Sequence, residues 1–216
     1  MVVKSKDMAP RIDPKRTALI CIDLQNMCTS PGCGGFSDIP EQTCFESEYG
    51  YYFRRIQEVV IPNVRKLQDE FRKRGMEVIH LHIQALTRDG RDRSLEHKRL
   101  GSLAIPGSYE AEFLKEVAPI EDEIVIPKTA SGAFNSTNID YLLRNLGMEK
   151  LVVVGCETSE CVETFVRNAA DRSYQVIVPE DATAALSEES QKSSLNAMRC
   201  TYAYLATTSE VITMLD

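Results

Sequence analysis

One stretch, residues 150–170, constrains the fold more than any other because it contains a strand, a sharp turn and a helix without a break. The run LVVV at residues 151–154 is apolar and rich in β-branched side chains. It lies between Lys150 and Gly155, which is typical of a strand buried on both faces. Apolar residues then recur at helical spacing over residues 162–169. A unit of this kind predicts an α/β fold.

A cysteine occupies the start of the helix in this stretch. Thr158 or Ser159 is predicted to cap the helix, which places Cys161 in its first turn. Free backbone N–H groups and the positive end of the helix dipole stabilise an anion there, so a thiolate should form more easily at Cys161. The local pattern leaves open the alternative that Cys161 is simply a buried cysteine, because free cysteines are often buried.

Segments of strand length alternate with segments of helix length along the rest of the chain. Five further strands are predicted at residues 17–24, 77–82, 123–127, 175–179 and 203–206. Helices are predicted at residues 51–60, 62–75, 138–146, 187–198 and 209–215, the last two capped by Ser187 and Ser209. The alternation predicts a three-layer α/β/α domain, in which a mostly parallel six-stranded sheet is covered by helices on both faces.

Length and charge narrow the class of protein. A chain of 216 residues with 43% hydrophobic content is long enough for one domain with a sizeable core. A net charge of -7 argues against a nucleic-acid partner, and no apolar run approaches the roughly 20 residues that span a membrane. Residues 1–16 are predicted to be a polar arm before a domain at residues 17–216. Because the arm lacks the apolar core of a secretory signal, the expected location is the cytoplasm.

The cysteines and histidines do not predict a metal site. The seven cysteines are an odd number without repeated CxxC pairs, so reduced thiols are expected: Cys21, Cys28, Cys33, Cys44, Cys156, Cys161 and Cys200. His80 and His82 share one face of a predicted strand. A metal pair is one interpretation, but hydrogen-bonded core histidines are favoured because no third ligand lies nearby. We expect neither a metal nor another cofactor.

Two polar segments are predicted to be loops. Residues 28–49 contain several glycines and prolines, and a loop of this length in a compact domain is usually functional, so it is a candidate lid. Residues 87–99 are dense in charge. A solvated loop is the favoured interpretation there, and an anion-binding role for Arg88, Arg91 or Arg93 is the alternative.

Three chemically distinct residues lie at or just past the carboxyl ends of three predicted strands: Asp23, Lys128 and Cys161. In a doubly wound sheet these ends face the same crevice. Together they suit acyl transfer, with Cys161 as the nucleophile and Asp23 as the group that accepts and later returns its proton. The positive charge of Lys128 would stabilise both the Asp23 carboxylate and the Cys161 thiolate. The alternative for Asp23 is that it only ties down the loop that follows.

Separate motifs in this chain resemble one family. They are DLQNM at residues 23–27, PK at 127–128 with SGAF at 131–134, GCETSECV at 155–162, and RNAADRSYQVIVPEDATA at 167–184. In this order they are similar to the isochorismatase-like cysteine hydrolases. The resemblance implies the Rossmann-like fold of that family and an Asp-Lys-Cys triad, which Asp23, Lys128 and Cys161 carry here.

The resemblance also implies the surroundings of the triad. It implies a cis peptide bond between Cys156 and Glu157, which directs the N–H groups of Glu157 and Cys161 into an oxyanion hole. Substrate contacts are expected from Gln25, Asn26, Cys28 and Phe134. Members of the family often have phenylalanine where this chain has Cys28, so its pocket wall should differ.

Departures from related members narrow the predicted reaction. Residues 80–94, HLHIQALTRDGRDRS, lack the aspartate and two histidines of nicotinamidase-like members, which argues against a metal and against nicotinamide. Members that hydrolyse the isochorismate ether lack the catalytic cysteine, so the presence of Cys161 in this chain favours cleavage of a C–N bond. Residues 87–94 and 127–147 look most like the branch that acts on ureides.

The predicted function is therefore a cysteine-dependent amidohydrolase in nitrogen metabolism. It would cleave a small linear amide or ureide, such as biuret, triuret or ureidoacrylate, through a thioester and release ammonia or an amine. The alternatives are a hydrolase of the same fold that cleaves the isochorismate ether, and a thiol redox or binding protein. The resemblance implies a homo-oligomer, a dimer or tetramer, with Cys200 or the C-terminal segment in its interface. No nucleic acid or membrane partner is expected.

Overall fold

A computed structural model of the chain describes residues 10–199 and 201–215. Most of the predicted polar arm, as well as Cys200, lies outside the described residues. Within them, no helix is both long and apolar enough to cross a membrane.

The strands form one parallel sheet. They are β1 (Thr17–Ile22), β2 (Glu77–Ile83), β3 (Ile124–Lys128), β4 (Lys150–Cys156), β5 (Gln175–Pro179), β6 (Thr183–Ala184) and β7 (Tyr204–Ala206). The order is β3-β2-β1-β4-β5-β7, and β6 pairs with the end of β4. Every pairing is parallel, which confirms the predicted sheet. The additional strand, β6, has two residues and is too short for a sequence period to reveal.

Helices cover both faces of this sheet. They are α1 (Asn26–Thr29), α2 (Gly50–Arg55), α3 (Ile61–Lys73), α4 (Leu95–Arg99), α5 (Ala133–Ser136), α6 (Ile139–Asn145), α7 (Glu163–Asp171), α8 (Glu188–Met198) and α9 (Thr208–Met214). Two π-helical turns, Ile56–Val60 and Thr158–Val162, precede α3 and α7. Single 3-10 turns occur at Gly34–Phe36, Glu41–Glu46, Tyr109–Ala111, Lys115–Val117 and Glu180–Ala182.

Side chains from alternate positions of β1 build the two halves of the core. Ile20 joins one apolar cluster with Phe165 of α7, and Leu19 joins the other with Phe71 of α3. All four side chains are at most 1% exposed. Because β1 is covered on both faces, its sequence reads as a continuous apolar run rather than an alternating one. The predicted three-layer arrangement is therefore confirmed.

The helical segment around Pro62 corrects one boundary. Separate helices were predicted before and after Pro62, but α2, the π turn and α3 form one uninterrupted run. In the π turn the Ile61 N–H donates to the Ile56 carbonyl, five residues back. Pro62 lies in the first turn of α3 and has no N–H to satisfy, so the helix continues past it.

Helix capping follows the prediction at α8 and departs from it at α9. The Ser187 side chain accepts from the Ser190 N–H and caps α8, as predicted. The cap of α9 is Thr207 rather than Ser209. Thr207 accepts from the Glu210 N–H, while the Glu210 side chain accepts from the Thr207 N–H. This reciprocal pair satisfies two helix-end donors, which a cap at Ser209 would not do.

Residues 28–49 are not the structureless loop that was predicted. They contain the end of α1 and two 3-10 turns, and the buried ring of Phe36 anchors them. The centroid of this ring lies 5.0 Å from that of Phe53 and 5.1 Å from that of Tyr49. Aromatic contacts of this kind add to the free energy gained by burying the rings, so the segment is held against α2.

A glycine lets the two central strands meet at their carboxyl ends. Gly155 in β4 has φ of 117°, and a Cβ on it would lie 2.0 Å from the carbonyl oxygen of Ile22 in β1. Only glycine permits both this conformation and this approach. The residues that follow β1 and β4 are thereby brought together, and these residues form the candidate site.

Candidate active site

Three elements bring Asp23, Lys128 and Cys161 into one buried cluster. Asp23 follows β1, Lys128 ends β3, and Cys161 lies in the π turn after β4. Asp23 and Lys128 are 0% exposed and Cys161 is 5% exposed. The Lys128 Nζ lies 2.9 Å from the Asp23 Oδ2 and 3.4 Å from the Cys161 Sγ. One ammonium group therefore bridges the carboxylate and the thiol.

The charge of Lys128 is maintained by its neighbours. Burial acts to lower the pKa of this amine, but the charge of the Asp23 carboxylate raises it, and the net pKa lies above the ordinary lysine value. Its Nζ also donates to the Ala130 carbonyl over 3.2 Å. Lys128 is therefore a permanently charged and well-held group at physiological pH.

The thiol of Cys161 differs from the sequence-based expectation. Burial raises the pKa of Cys161, Lys128 lowers it and Asp23 raises it, with the net pKa well above the ordinary cysteine value. The expectation of an easily formed thiolate is therefore wrong. Desolvation of the thiol and the nearby Asp23 carboxylate raise its pKa by more than the helix end lowers it. Cys161 rests as a thiol, so a base must take its proton before it can attack.

The turn that carries Cys161 also differs from the prediction. Neither Thr158 nor Ser159 caps an α-helix at this point, because the chain first makes a π turn. The Thr158 hydroxyl instead donates to Gln191 Oε1 of α8 over 2.8 Å. The peptide bond between Cys156 and Glu157 is cis, which confirms what the family resemblance implied.

Asp23 has an unusual backbone conformation. Its φ is 53°, in the left-handed region that few residues other than glycine, asparagine and aspartate adopt. Its N–H donates to the Leu81 carbonyl over 2.9 Å, and its carbonyl accepts from the Cys156 thiol over 3.1 Å. Such a conformation costs about 1–3 kcal/mol, and here it directs the carboxyl group toward Lys128. The Asp23 Oδ1 has no hydrogen-bond partner among the described residues.

A cavity of about 270 Å³ opens beside this cluster, and Asp23 and Cys161 both line it. Cys28, Phe36 and Tyr49 line it as well. The segment predicted to be a lid therefore forms part of the cavity wall. A small substrate in this cavity would contact the thiol and the carboxyl group together.

Of the side chains expected to bind substrate, Cys28 lines the cavity and Gln25 does not. The Gln25 amide is 0% exposed. Its Nε2 donates to the carbonyls of Ile83 and Glu110, and its Oε1 accepts from the Ile83 N–H. Because its hydrogen-bonding capacity is used within the protein, Gln25 ties the end of β2 to residues 109–111 rather than binding substrate.

Asn26 and Phe134 also lie outside the cavity lining, which corrects two more expected contacts. The Asn26 Nδ2 donates to the Tyr109 carbonyl over 2.9 Å. The ring of Phe134 packs with its centroid 4.8 Å from that of Phe165, on the apolar side of α7. Within these two motifs, Asp23 and Ser131 line the cavity, whereas Asn26 and Phe134 pack away from it.

The structure adds acidic and imidazole side chains that sequence reasoning missed. Glu96, His97 and Glu160 line the cavity, as does Glu157. Glu96 and His97 belong to α4, within the segment that was predicted to be a solvated loop. The Ser94 side chain accepts from the His97 N–H and caps this short helix. The spacing of Ser94 and His97 was the available signal for a helix at this position.

Two of the three arginines singled out in the sequence, and both strand histidines, have structural partners, while Arg88 is exposed and does not line the cavity. Arg91 pairs with Asp89, and the Arg93 Nε donates to the Gly90 carbonyl, so neither lines the cavity. His80 Nε2 lies 2.9 Å from Glu123, and His82 Nδ1 lies 3.0 Å from the Ala111 carbonyl. The favoured interpretation of hydrogen-bonded core histidines is confirmed. No group of three or more potential metal ligands occurs among the residues the structure describes.

Comparison with known proteins identifies the family. A family profile described as the isochorismatase domain matches residues 17–210. The chain belongs to the isochorismatase family. As an isochorismatase-family hydrolase, it shares its fold with the cysteine hydrolase from Pseudomonas syringae pv. phaseolicola 1448A. That structure has a TM-score of 0.78 and 25% identity, with 95% of this chain and 94% of the other covered.

Two curated relatives of this isochorismatase-family hydrolase are named for amide hydrolysis. It is 29% identical to ureidoacrylate amidohydrolase RutB from Caulobacter segnis, over 92% of this chain and 85% of the relative. It is 27% identical to N-carbamoylsarcosine amidase from Arthrobacter sp over 77% of its own length. The chain spans 58% of the length of that amidase.

The carboxyl group of Glu157 titrates abnormally in this isochorismatase-family site. Burial, and after it the neighbouring charges of Glu160 and Asp23, together raise its pKa from the ordinary 4.5 to about 7. The unfolded chain therefore releases this proton near pH 4.5, whereas the folded protein retains it to about pH 7.

We expect this difference to make the folded state less stable as pH rises from about 4.5 to about 7. The folded state binds more protons in that interval, so the free energy of unfolding should fall by about 3 kcal/mol in total. Glu157→Gln should flatten the decline in urea denaturation measured across this pH range. Glu58→Gln, at an exposed residue outside the cavity, is the matched control. Identical pH profiles for the wild type and Glu157→Gln would show that Glu157 titrates normally.

Proposed function

We propose that this hydrolase is a cysteine-dependent amidohydrolase that cleaves the C–N bond of a small linear amide or ureide, of the biuret, triuret or ureidoacrylate type. The observation that carries the proposal is the Lys128 ammonium, which contacts the Asp23 carboxylate and the Cys161 thiol beside a cavity of matching size. A nucleophile, a base and a fixed positive charge are thus within reach of one bound carbonyl group.

In the first half of the reaction, the Asp23 carboxylate takes the proton of the Cys161 thiol as the sulfur attacks the carbonyl carbon. A C–S bond forms and the carbonyl oxygen becomes an oxyanion. Asp23 then gives the proton to the amide nitrogen, the C–N bond breaks, and ammonia or an amine leaves. The product is an acyl or carbamoyl thioester on Cys161.

In the second half, water replaces the released amine. Asp23 takes a proton from the water as its oxygen attacks the thioester carbon. The C–S bond then breaks, the acid product leaves, and Asp23 returns the proton to the Cys161 sulfur. The enzyme is therefore restored without an external reductant or oxidant.

Two groups favour the charges that develop in these steps. Lys128 stays protonated and stabilises the thiolate and the Asp23 carboxylate. The backbone N–H groups of Glu157 and Cys161 are the proposed donors to the oxyanion. Each donor of this kind contributes about 3–4 kcal/mol to transition-state stabilisation in hydrolases.

Further features complete the proposal. Residues 17–216 form the hydrolase domain, in a cytoplasmic homo-oligomer, a dimer or tetramer, with a role in nitrogen metabolism and no nucleic-acid or membrane partner. The names of the two curated relatives support amide over ether cleavage. The placement of Cys161 on the cavity supports it as well, because a thiol nucleophile suits acyl transfer.

The experiment is ammonia release from biuret, triuret, ureidoacrylate, N-carbamoylsarcosine, maleamate and nicotinamide, with isochorismate included to detect ether cleavage. We expect release from at least one linear amide or ureide. Rapid acid quenching followed by intact mass measurement should then reveal the added acyl group on Cys161. Cleavage of isochorismate alone would replace the amide proposal with its ether alternative. If the folded protein hydrolyses no compound in the panel, that result would favour the interpretation as a thiol redox or binding protein.

A further inference from the structure

Three acids on the wall of the cavity beside Cys161 have no cation among the residues described on that wall. They are Glu96, Glu157 and Glu160, whereas Asp23, which also lines the cavity, is paired with Lys128. No lysine or arginine lines it among the described residues. Lys128 lies behind the thiol, and its charge is already matched by the Asp23 carboxylate 2.9 Å away. A bound carboxylate group would therefore meet acidic neighbours and no free cation.

Two cations close to α4 in the chain make hydrogen bonds to backbone carbonyls. The Arg93 guanidinium donates to the carbonyls of Gly90 and Ser102, and the Lys98 Nζ donates to the Arg91 carbonyl over 2.7 Å. These hydrogen bonds hold the backbone on both sides of α4, and neither side chain lines the cavity.

A second, independent feature of the cavity is the imidazole of His97. The side chain is 3% exposed and lines the cavity, yet its Nδ1 has no hydrogen-bond partner among the described residues. Burial and the Lys128 charge lower the pKa of His97, so the ring is neutral and one of its nitrogens is an acceptor. The unpartnered Nδ1 costs free energy in either tautomer of the neutral ring, and a polar group of a ligand would recover it.

From this lining we infer that the substrate is an amide whose far end carries a cationic ammonium or guanidinium group, and that the cavity rejects amides with a carboxylate there. The inference rests on the proposed amide hydrolysis for its reaction. A cation with several N–H donors would pair with Glu96, Glu157 and Glu160 and could donate to His97. Ureidoacrylate and N-carbamoylsarcosine each carry a carboxylate, so the inference narrows the proposed function by excluding substrates of the ureidoacrylate type. This chain would then differ in specificity from the relatives named for those two compounds.

Crowding of the acids supports a cationic ligand. The pKa of Glu160 is raised, first by burial and then by the charge of Glu96, and that of Glu157 is raised by burial, Glu160 and Asp23. These carboxyl groups repel one another in the empty cavity. A bound cation would relieve the repulsion, whereas a bound anion would add to it.

The first test compares linear amides that have the same chain length and differ in charge. They are 4-aminobutanamide, which is cationic, pentanamide, which is neutral, and glutaramate, which is anionic. We expect kcat/KM for ammonia release to be at least about tenfold higher for the cation than for the anion at low salt, and the ratio to shrink as salt is added. Glu160→Gln and Glu96→Gln should each reduce the ratio, and Glu58→Gln should leave it unchanged. Equal or faster turnover of glutaramate would overturn the inference.

The second test does not depend on amide hydrolysis. Methanethiosulfonate reagents transfer an alkylthio group to a cysteine, forming an S–S bond and releasing methanesulfinate. We expect the ethylammonium reagent to label Cys161 at least about tenfold faster than the ethylsulfonate reagent, with each rate divided by that for a free thiol. Mass analysis of the peptide that contains Cys161 separates this label from one on Cys28.

The two tests separate the two claims. In one outcome, no amide is hydrolysed, but the cationic reagent labels Cys161 faster and Glu160→Gln abolishes this difference. The proposed amide hydrolysis would then be wrong, while the preference of the cavity for cations would be supported. If neutral amides are hydrolysed and the anionic reagent reacts as fast as the cationic one, the reaction class stands and the charge selection is wrong.

Discussion

Replacing Cys161 with alanine is expected to lower kcat/KM for ammonia release by about four orders of magnitude or more while leaving the protein folded. The substitution removes the only atom proposed to bond to the substrate. Asp23 and Lys128 remain paired, because their 2.9 Å contact does not depend on the sulfur. Ammonia release under saturating substrate, beside a urea denaturation curve, measures both parts of this prediction.

The matched control is Cys33→Ala, which removes a buried thiol that does not line the cavity and should keep most of the activity. Cys161→Ser should be nearly as inactive as the alanine variant, since a serine hydroxyl is far harder to deprotonate than a thiol. If Cys161→Ala retained more than about a tenth of the activity, the nucleophile would be another group. Cys28, the other thiol on the cavity wall, would be replaced next.

Lys128→Met is expected to reduce the free energy of unfolding by about 3–5 kcal/mol as well as to abolish activity. The methionine has a similar length but leaves the Asp23 carboxylate, which is 0% exposed, without its countercharge. Urea denaturation at neutral pH measures the loss. Arg16→Met is the control, because its ion pair with Glu149 joins side chains that are 53% and 49% exposed and should contribute less than about 1 kcal/mol.

A double variant identifies the cause of this instability. Lys128→Met combined with Asp23→Asn has no unpaired buried charge, and asparagine tolerates the φ of 53° at position 23. We expect it to recover at least about half of the lost stability and none of the activity. An additive loss from the two substitutions would instead attribute the effect of Lys128→Met to packing around its alkyl chain.

The fold and the reactive cluster were accessible from sequence because each depends on short-range patterns. The apolar run that became β1 and the strand–turn–helix around Cys161 predict parallel strands. The carboxyl ends of such strands meet at one edge of the sheet, so Asp23, Lys128 and Cys161 had to approach one another. The cis bond after Cys156, which the structure confirms, was predicted from motif resemblance rather than from any physical pattern in the sequence.

The expectations that differ from the structure depend on what surrounds a residue rather than on its neighbours in the chain. Gln25 belongs to the motif that contains Asp23, yet its amide bonds to backbone groups of residues 83 and 110. Similarly, the position of Cys161 near a helix start suggested an easily formed thiolate. Burial beside Asp23 reversed the direction of its pKa shift, and burial is a property of the assembled fold.

The sequence by itself determined the layered α/β architecture and the chemical identity of the proposed nucleophile, base and countercharge, because hydrophobic periodicity and residue type are local properties. Only the tertiary structure decided the charge of the cavity. Glu96 and His97 from α4 and Glu157 and Glu160 from the turn after β4 lie far apart in the chain, and folding places them around one space. Electrostatic interactions act through that space rather than along the chain, so the proposed selection of a substrate by its charge could be inferred only from the folded protein.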